Sequence, residues 1–209
     1  MHTLRLPSLC VIAQGAKTVI VGQEAYQYDT SRIIVFSVAL PVAAQVTQAS
    51  YSEPYLSLKL DLDPRKIAEL VLKVYPRGLP PVQERNAVYV APADQSILSA
   101  STRLMECLAQ PSDVELLAPL VKDEILIRLL RSPIGVRVAQ MGFAESSVHC
   151  VAKAISWLRS NFSQPMKVED LAGLVHMSVS SFHEYFKSVT SMSPLLRKRS
   201  HKGHRPVAQ

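Results

Sequence analysis

KVEDLAGLVHMSVSSFHEYFKSVTSM, residues 167–192, decides how the C-terminal part of the chain folds. Apolar residues recur at helical spacing in its first half: Val168, Leu171, Ala172 and Val175. Ser178 then offers a hydroxyl that caps the free N–H groups of a second helix. That helix has an apolar face of its own: Val179, Phe182, Phe186 and Val189. Two short helices joined by a tight turn predict a helix-turn-helix, whose second helix lies in the major groove of DNA.

The other side of the second helix is polar. It carries Ser180, Ser181, His183, Glu184 and Lys187. Ser and His hydrogen-bond base edges, Glu accepts from the N4 amino group of cytosine, and Lys meets phosphate. The same residues also suit the solvated side of an ordinary amphipathic helix. Spacing alone leaves both interpretations open.

The stretch before the helix-turn-helix supplies a third helix. Residues 146–162, SSVHCVAKAISWLRSNF, have an apolar face suited to a shared hydrophobic core. The break at residues 132–135, SPIG, predicts that a hinge between two parts of the chain lies between residues 131 and 146.

The first part of the chain has a β pattern. Short runs rich in Val, Ile and Tyr cover residues 8–14, 16–22, 24–29, 32–38, 44–50 and 55–63. Breaks at Gly15, Gly22, residues 29–31 and Pro41 are spaced like hairpin turns. Closely spaced short strands predict a small antiparallel sheet or barrel.

Helices dominate the middle of the chain. Asp63-Pro64 starts one, with Asp as the cap and Pro at the first helical position. Two more are predicted over residues 94–109 and 112–130, the second split or kinked at Pro119, and residues 87–90 are expected to rejoin the sheet. The fold class is therefore α+β, with β elements first, helices in the middle and a helix-turn-helix bundle at the end.

Composition disfavours several functions. Three separated cysteines in no CxxC pair, Cys10, Cys107 and Cys150, predict the reduced thiols of a cytoplasmic protein. No apolar run is long enough to span a bilayer, so we expect no membrane partner. The chain lacks HExxH, GxSxG and a glycine-rich phosphate loop, and we expect no enzyme activity, no cofactor and no metal. Asp61 and Asp63 have the spacing of a carboxylate pair, but a polar edge residue and a helix cap explain them better.

The net charge of +6 lies in the last part of the chain. Residues 146–209 hold nine Lys or Arg against three Asp or Glu, and five of those cations stand in residues 195–209. A basic end predicts an anionic partner, nucleic acid before membrane. The tail itself suits either a disordered solvated end or a salt-sensitive tether to DNA.

Residues 154–194, AISWLRSNFSQPMKVEDLAGLVHMSVSSFHEYFKSVTSMSP, resemble the first helix-turn-helix of AraC/XylS-type bacterial transcription regulators. The segment MSVSSFHEYFKSVTSMSP is close to the pattern MS-x-SxFHRxFK-xxTGxSP of that family. The β region is similar to the N-terminal half-barrel of one branch of the family, so the resemblance covers residues 7 to about 194. It implies a cupin-like β half-barrel for effector sensing or dimerisation, followed by DNA-binding helices.

The resemblance also implies roles for individual residues. The base-reading positions of the first unit fall on Ser180, His183 and Glu184, with Lys187 near the DNA backbone. Three positions depart from the family pattern. Glu184 stands where Arg is common, His176 replaces the turn glycine, and residues 190–192, Thr-Ser-Met, replace a Thr-Gly-Met type of sequence.

A fourth departure concerns residues 195–209, LLRKRSHKGHRPVAQ, where the family continues with a linker helix and a second helix-turn-helix. We expect the second unit to be absent and DNA binding to be impaired. The predicted domains are residues 1–131 (half-barrel 8–62, helices 64–131), residues 146–194 with one helix-turn-helix, and a basic, disordered tail at 195–209.

The implied partners are double-stranded promoter or operator DNA, a small-molecule effector of unspecified chemistry and a second copy bound through the β domain. One alternative remains open. A chain with one helix-turn-helix could be a dimerisation module that does not bind DNA and pairs with a full-length paralogue.

Overall fold

The architecture was obtained as a computed structural model, which describes residues 2–82, 86–143, 146–161 and 167–194. Two antiparallel sheets come first and helices follow, as the α+β expectation required. The strands are β1 (His2–Arg5), β2 (Ser8–Gln14), β3 (Ala16–Val21), β4 (Glu24–Asp29), β5 (Arg32–Phe36), β6 (Leu40–Gln48), β7 (Leu56–Asp61) and β8 (Val88–Pro92). The helices are α1 (Pro64–Val74), α2 (Gln95–Cys107), α3 (Pro111–Leu116), α4 (Ala118–Leu130), α5 (Gly135–Ala139), α6 (Ser147–Ser160), α7 (Val168–Leu174) and α8 (Val179–Thr190), with a 3-10 helix at Gln140–Gly142.

The strands form two four-stranded sheets. The first has the order β1-β6-β3-β4 and the second the order β7-β2-β5-β8, and every pair is antiparallel. Over the described residues the two sheets do not close into one barrel, which fits the half-barrel expectation. Strand β8 lies beside β5, so the expected return of residues 87–90 to the sheet is confirmed.

Two expectations about the strands were wrong. Pro41 does not end a strand but lies inside β6, opposite Leu4 of β1. It is tolerated because β6 pairs with β3 only from Ala43 onward, so the missing N–H of proline faces no second partner. Strand β1 was not predicted, because four residues at the start of a chain show too short a pattern to recognise.

Burial explains why the sheets pack. In β3, Val19 and Val21 are buried while Ile20 between them is 43% exposed, the alternation of a strand with one covered face. In β5, residues 33–36 are all fully buried, so both faces of this strand are covered. Unbroken apolar runs of this kind belong to central strands.

The start of α1 decides between the two interpretations of Asp61 and Asp63. Asp63 accepts a hydrogen bond of 2.9 Å from the backbone N–H of Arg65 and caps the helix. Asp61 lies on the edge strand β7 and pairs with Lys59 at 2.7 Å. The two carboxylates therefore serve local structure separately. Pro119 stands at the first turn of α4 and separates it from α3, as its position predicted.

The segment expected to contain a hinge is helical and packed. Helix α5 and the 3-10 helix bury Val138, Ala139 and Met141. The backbone of Gly142 approaches α1 so closely that a Cβ there would lie 2.7 Å from the Cα atom of Ala68. Just before the last three helices, the backbone of the 3-10 helix is thus in close contact with the backbone of α1.

Candidate nucleic-acid interface and inter-sheet cleft

Helices α6, α7 and α8 form a three-helix unit with its own core. Helix α8 packs against both other helices. The side chains at the centre are buried: Ile155 and Leu158 of α6, Leu171 and Ala172 of α7, Val175, and Phe182, Phe186 and Val189 of α8. Ala172 is 1% exposed, and its small side chain lets the helices approach. This is the helix-turn-helix that the spacing of residues 167–192 predicted.

Helix α8 begins as its sequence indicates. The Ser178 hydroxyl accepts a hydrogen bond of 3.2 Å from the N–H of Ser181 and caps the helix. Val179 is 38% exposed, so the expectation that it joins the core was wrong. As the first helical residue it directs its side chain back toward the N-terminal end of the helix rather than into the core.

The turn between α7 and α8 uses a left-handed residue. His176 has φ of 56°, which confirms that it occupies the position of a turn glycine. Ser191, which ends α8, has φ of 55° and stands at the second place where the family pattern has glycine. Both departures from the pattern therefore fall on backbone conformations that favour glycine.

The replacement His176→Gly is expected to raise the free energy of unfolding by roughly 0.5–1 kcal/mol. Strain of about 1–2 kcal/mol is relieved, and the greater entropy of the unfolded chain offsets about 0.4–1 kcal/mol of it. Urea titration followed by circular dichroism measures the change. His183→Gly, in the helical part of α8, is the control and should lower stability by roughly 0.3 kcal/mol. Equal destabilisation by both replacements would show that His176 is not strained.

The structure brings four of the five candidate DNA-contacting residues to one side of α8. Ser180, Glu184 and Lys187 are exposed and His183 is partly exposed. At about 100° per residue these four span roughly a third of the helix circumference. Ser181 points away from them, and its hydroxyl accepts from that of Ser178 at 2.9 Å. Ser181 thus belongs to the helix cap rather than to the centre of the outward face.

The net charge of the three-helix unit is close to zero. Residues 167–194 contain two lysines against three carboxylates, and α6 adds Lys153 and Arg159, both exposed. Few cations are therefore available for phosphate contacts in the described part of the unit. The described part of the unit therefore lacks the strong positive field that phosphate contacts require.

The β part holds a second candidate site that sequence reasoning missed. Lys17 alternates along β3 with Val19 and Val21, so its side chain faces the inside of the sandwich. The only sequence signal was a lysine in register with buried valines. Its Nζ lies 5.4 Å from the centre of the Tyr55 ring, and the Cζ of Arg5 lies 5.9 Å from that of Phe36.

The charges in this cleft are unbalanced. Burial, and then the neighbouring Arg5, hold the pKa of the Lys17 amine below its ordinary value. Among the described residues, neither Lys17 nor Arg5 forms an ion pair with a carboxylate. Lys59 is also near but is paired with Asp61. Two cations therefore share a partly buried space without an anion.

Neutral polar groups complete the cleft. Burial, followed by Cys10 and Tyr55, raises the pKa of the Tyr28 phenol, whose hydroxyl is hydrogen-bonded to Tyr55. Burial also raises the pKa of the Cys10 thiol. A cavity of about 450 Å³ opens at the adjoining rim, with a lining that includes Gln14, Gly15 and Gln48. A Cβ on Gly15 would lie 3.4 Å from the Tyr55 ring, so this cavity adjoins Tyr55.

Other kinds of site find no support in the described ranges. No three His, Cys, Asp or Glu side chains there come together as metal ligands would. Within the same ranges, no helix has the length and apolar character needed to cross a membrane.

The fold and the three-helix unit define a DNA-binding protein of the helix-turn-helix class, and family comparison specifies which one. Residues 1–137 match the N-terminus of AraC-type transcriptional regulators, and residues 158–196 match the bacterial regulatory helix-turn-helix proteins of the AraC family. The first match alone covers more than half of the chain. This chain belongs to the AraC family of transcription regulators.

Solved structures give a weaker comparison. The chain is similar to apo ToxT from Vibrio cholerae at 11% identity, with 95% of this chain and 93% of that chain covered and a TM-score of 0.40. It is also similar to Vibrio cholerae ToxT bound to (E)-4-(8-methylnaphthalen-1-yl)but-3-enoic acid, at 14% identity, 93% and 90% coverage and a TM-score of 0.40. Comparison with curated proteins finds no match.

Proposed function

We propose that this regulator recognises a specific DNA sequence through the outward face of α8. In this proposal residues 146–194 form the DNA-binding part and residues 1–131 the effector part. The supporting observation is that Ser180, His183, Glu184 and Lys187 lie on one side of a capped helix whose other side is anchored by buried phenylalanines. A rigid helix presents these groups to the major groove in a constant geometry.

Each residue has a chemical task in this proposal. Ser180 and His183 hydrogen-bond base edges, and Glu184 accepts from the N4 amino group of cytosine. Lys187, one turn further along, neutralises a phosphate. Ser181 holds the start of the helix through its hydrogen bonds with Ser178. A carboxylate on the reading face repels phosphate, so Glu184 favours a cytosine-containing site over DNA in general.

The test is fluorescence anisotropy with duplexes from the DNA upstream of its own gene and with scrambled duplexes. Replacing both Ser180 and His183 by alanine is expected to weaken binding to the target by about 10-fold or more and to leave binding to the scrambled duplex unchanged. Lys187→Ala should weaken both and lower the salt slope by about one.

Lys73→Ala on α1 is the matched control, because Lys73 is exposed and lies on another part of the chain. It should change neither affinity. Equal weak affinity of the wild type for target and scrambled duplexes would remove the claim of sequence specificity.

We infer further that the effector is a small carboxylate, bound between the sheets beside Arg5 and Lys17. Arg5 and Lys17 lack a described carboxylate partner, and an anion placed between them would relieve their repulsion.

Replacing Lys17 by glutamine is expected to weaken carboxylate binding by about 10-fold or more, because one of two cations is lost. Calorimetric titration with a series of aliphatic and aromatic carboxylates measures this, with Lys73→Gln as the control. Protonated Lys17 favours the anion. Affinity for the carboxylate should therefore fall as rising pH deprotonates Lys17. Because the pKa of Lys17 is lowered, this fall should occur at a lower pH than for a lysine with the ordinary pKa of 10.5. Tight binding of the matching neutral amides would contradict the assignment.

A further inference from the structure

A third cation lies near the two that bind the proposed effector. Lys59 on β7 stands directly opposite Cys10 of β2. Residues paired across antiparallel strands point to the same face of a sheet, so Lys59 and Cys10 share one face. Burial raises the pKa of that thiol, and the charges of Arg5, Lys17 and Lys59 all oppose the rise. Arg5 and Lys17 belong to the first sheet and Lys59 to the second, so the cleft has cations on both of its walls.

The cleft holds more positive than negative charge. Arg5 and Lys17 form no ion pair with a described carboxylate, whereas Lys59 pairs with Asp61 at 2.7 Å. Three cations against one carboxylate leave an excess of two positive charges among these described groups. One carboxylate of an effector balances half of that excess, and a ligand with two carboxylates balances all of it. Charge therefore favours a dianion.

The ion pair of Lys59 can exchange its carboxylate. Lys59 and Asp61 are two residues apart on the edge strand β7, so their side chains extend from the same face. These side chains are 39% and 68% exposed, and ion pairs so open to water add little stability. Among the described residues, Asp61 has Lys59 as its single ion-pair partner. A ligand carboxylate can replace Asp61 at little cost, because Asp61 stays hydrated when it is released.

The geometry favours two separated anionic groups over one doubly charged group. The Nζ atom of Lys17 lies 5.4 Å from the centre of the Tyr55 ring, whereas Lys59 stands on the other wall beside Asp61. Facing sheets lie about 10 Å apart, and long lysine side chains extend into the space between them. Two carboxylates joined by a short carbon chain lie about 4–6 Å apart, since each carbon–carbon bond is about 1.5 Å long. A short dicarboxylate therefore has a length that suits cations on the two walls.

On the basis of the carboxylate site proposed above, we propose that the effector is a short dicarboxylate. One carboxylate binds beside Arg5 and Lys17, and the other takes Lys59 from Asp61. Asp61 is thus an internal competitor that holds Lys59 until a ligand with a second carboxylate binds. Lys59 and Asp61 determine specificity in this assignment: a monocarboxylate leaves their ion pair in place, and a dicarboxylate opens it.

Calorimetric titration of the full chain tests the proposal, with straight-chain dicarboxylates of four to six carbons and their monomethyl esters. The ester matches the diacid in size and lacks the second charge. The wild type is expected to bind the best diacid about 10-fold more tightly than its ester, because one more charged pair forms. Lys59→Gln should reduce that preference to the small statistical advantage of two equivalent ends, with little change for the ester. Lys17→Gln, by contrast, should weaken both ligands.

Asp61→Asn gives a second measurement with the opposite sign. Removing the competitor is expected to raise the affinity for the diacid by about 3-fold or more, and to change that for the ester less. Lys73→Gln is the matched control for Lys59→Gln, since Lys73 is also an exposed lysine in an ion pair. Glu115→Gln, at an exposed carboxylate on α3, is the control for Asp61→Asn. Neither control should change either affinity.

The outcomes separate this proposal from the carboxylate site on which it rests. Equal affinity of the wild type for diacid and ester, with both weakened by Lys17→Gln, would overturn the dicarboxylate and leave the carboxylate site standing. Binding of neither ligand would overturn both. Equal weakening of diacid and ester by Lys59→Gln would place Lys59 at the first carboxylate and overturn its separate role, as would an Asp61→Asn variant that binds the diacid no better than the wild type does.

Discussion

Phe186→Ala is expected to lower the free energy of unfolding of the three-helix unit by about 3–5 kcal/mol. The Phe186 side chain is fully buried, and its ring centroid lies 5.6 Å from that of Phe182, which is equally buried. Removing the ring leaves a cavity in a unit that has few other large core residues. DNA binding should be lost with it, because the outward face of α8 keeps its orientation through these two rings.

Urea unfolding followed by circular dichroism and by the fluorescence of Trp157 measures the loss. Val179→Ala is the control within the same helix. Its side chain is 38% exposed, so its replacement should change stability by less than about 1 kcal/mol. If Phe186→Ala cost no more than Val179→Ala, the packing of α8 on α6 and α7 described above would be wrong.

The second large effect is expected from Gly142→Ala at the connection between the two parts of the chain. The added Cβ would lie 2.7 Å from the Cα atom and 2.8 Å from the backbone nitrogen of Ala68. Both are backbone atoms of α1 and cannot rotate away. Overpacking of this kind typically costs about 1–3 kcal/mol, and the 3-10 helix should separate from α1 as a result.

Amide hydrogen exchange locates this effect. Faster exchange is expected in α1 and at the start of α6, because the Ser146 hydroxyl donates to the carbonyl of Gln140 at 2.5 Å and so ties α6 to the 3-10 helix. Gly173→Ala in α7 is the control. No atom lies within 4 Å of its added Cβ, and alanine should stabilise the helix by about 0.5–1 kcal/mol. Unchanged exchange in Gly142→Ala would show that the contact with α1 is loose.

A second close approach joins the β part to α8. A Cβ on Gly22, in the turn between β3 and β4, would lie 2.8 Å from the carbonyl oxygen of Ser191. Ser191 is the left-handed residue that ends α8. The helix with the candidate reading face is therefore held at its C-terminal end by a hairpin of the first sheet, whose strand β3 also carries Lys17.

Local patterns in the chain were sufficient for most elements. Apolar spacing and the Ser178 cap predicted the helix-turn-helix, and the structure confirms both. The resemblance to the family placed His176 at the turn glycine, and its φ of 56° agrees with that position. Asp63 and Pro119 marked helix starts correctly. These signals are readable because each arises from contacts within about four residues along the chain.

Expectations failed where distant residues decide the outcome. Pro41 was taken as a break, but its place in β6 depends on which neighbouring strand lies beside it. Val179 was expected in the core, but its side chain is 38% exposed in the packed unit. Neither fact has a signal in the local sequence.

By itself, the sequence determined the α+β order and the position of the helix-turn-helix, because periodicity and capping act over a few residues. The tertiary structure alone decided that Arg5 and Lys17 share a cleft, that Gly142 and Gly22 meet distant backbones, and that the apolar residues of α3 remain uncovered. Those features arise from contacts between residues far apart in the chain, and only packing brings such residues together.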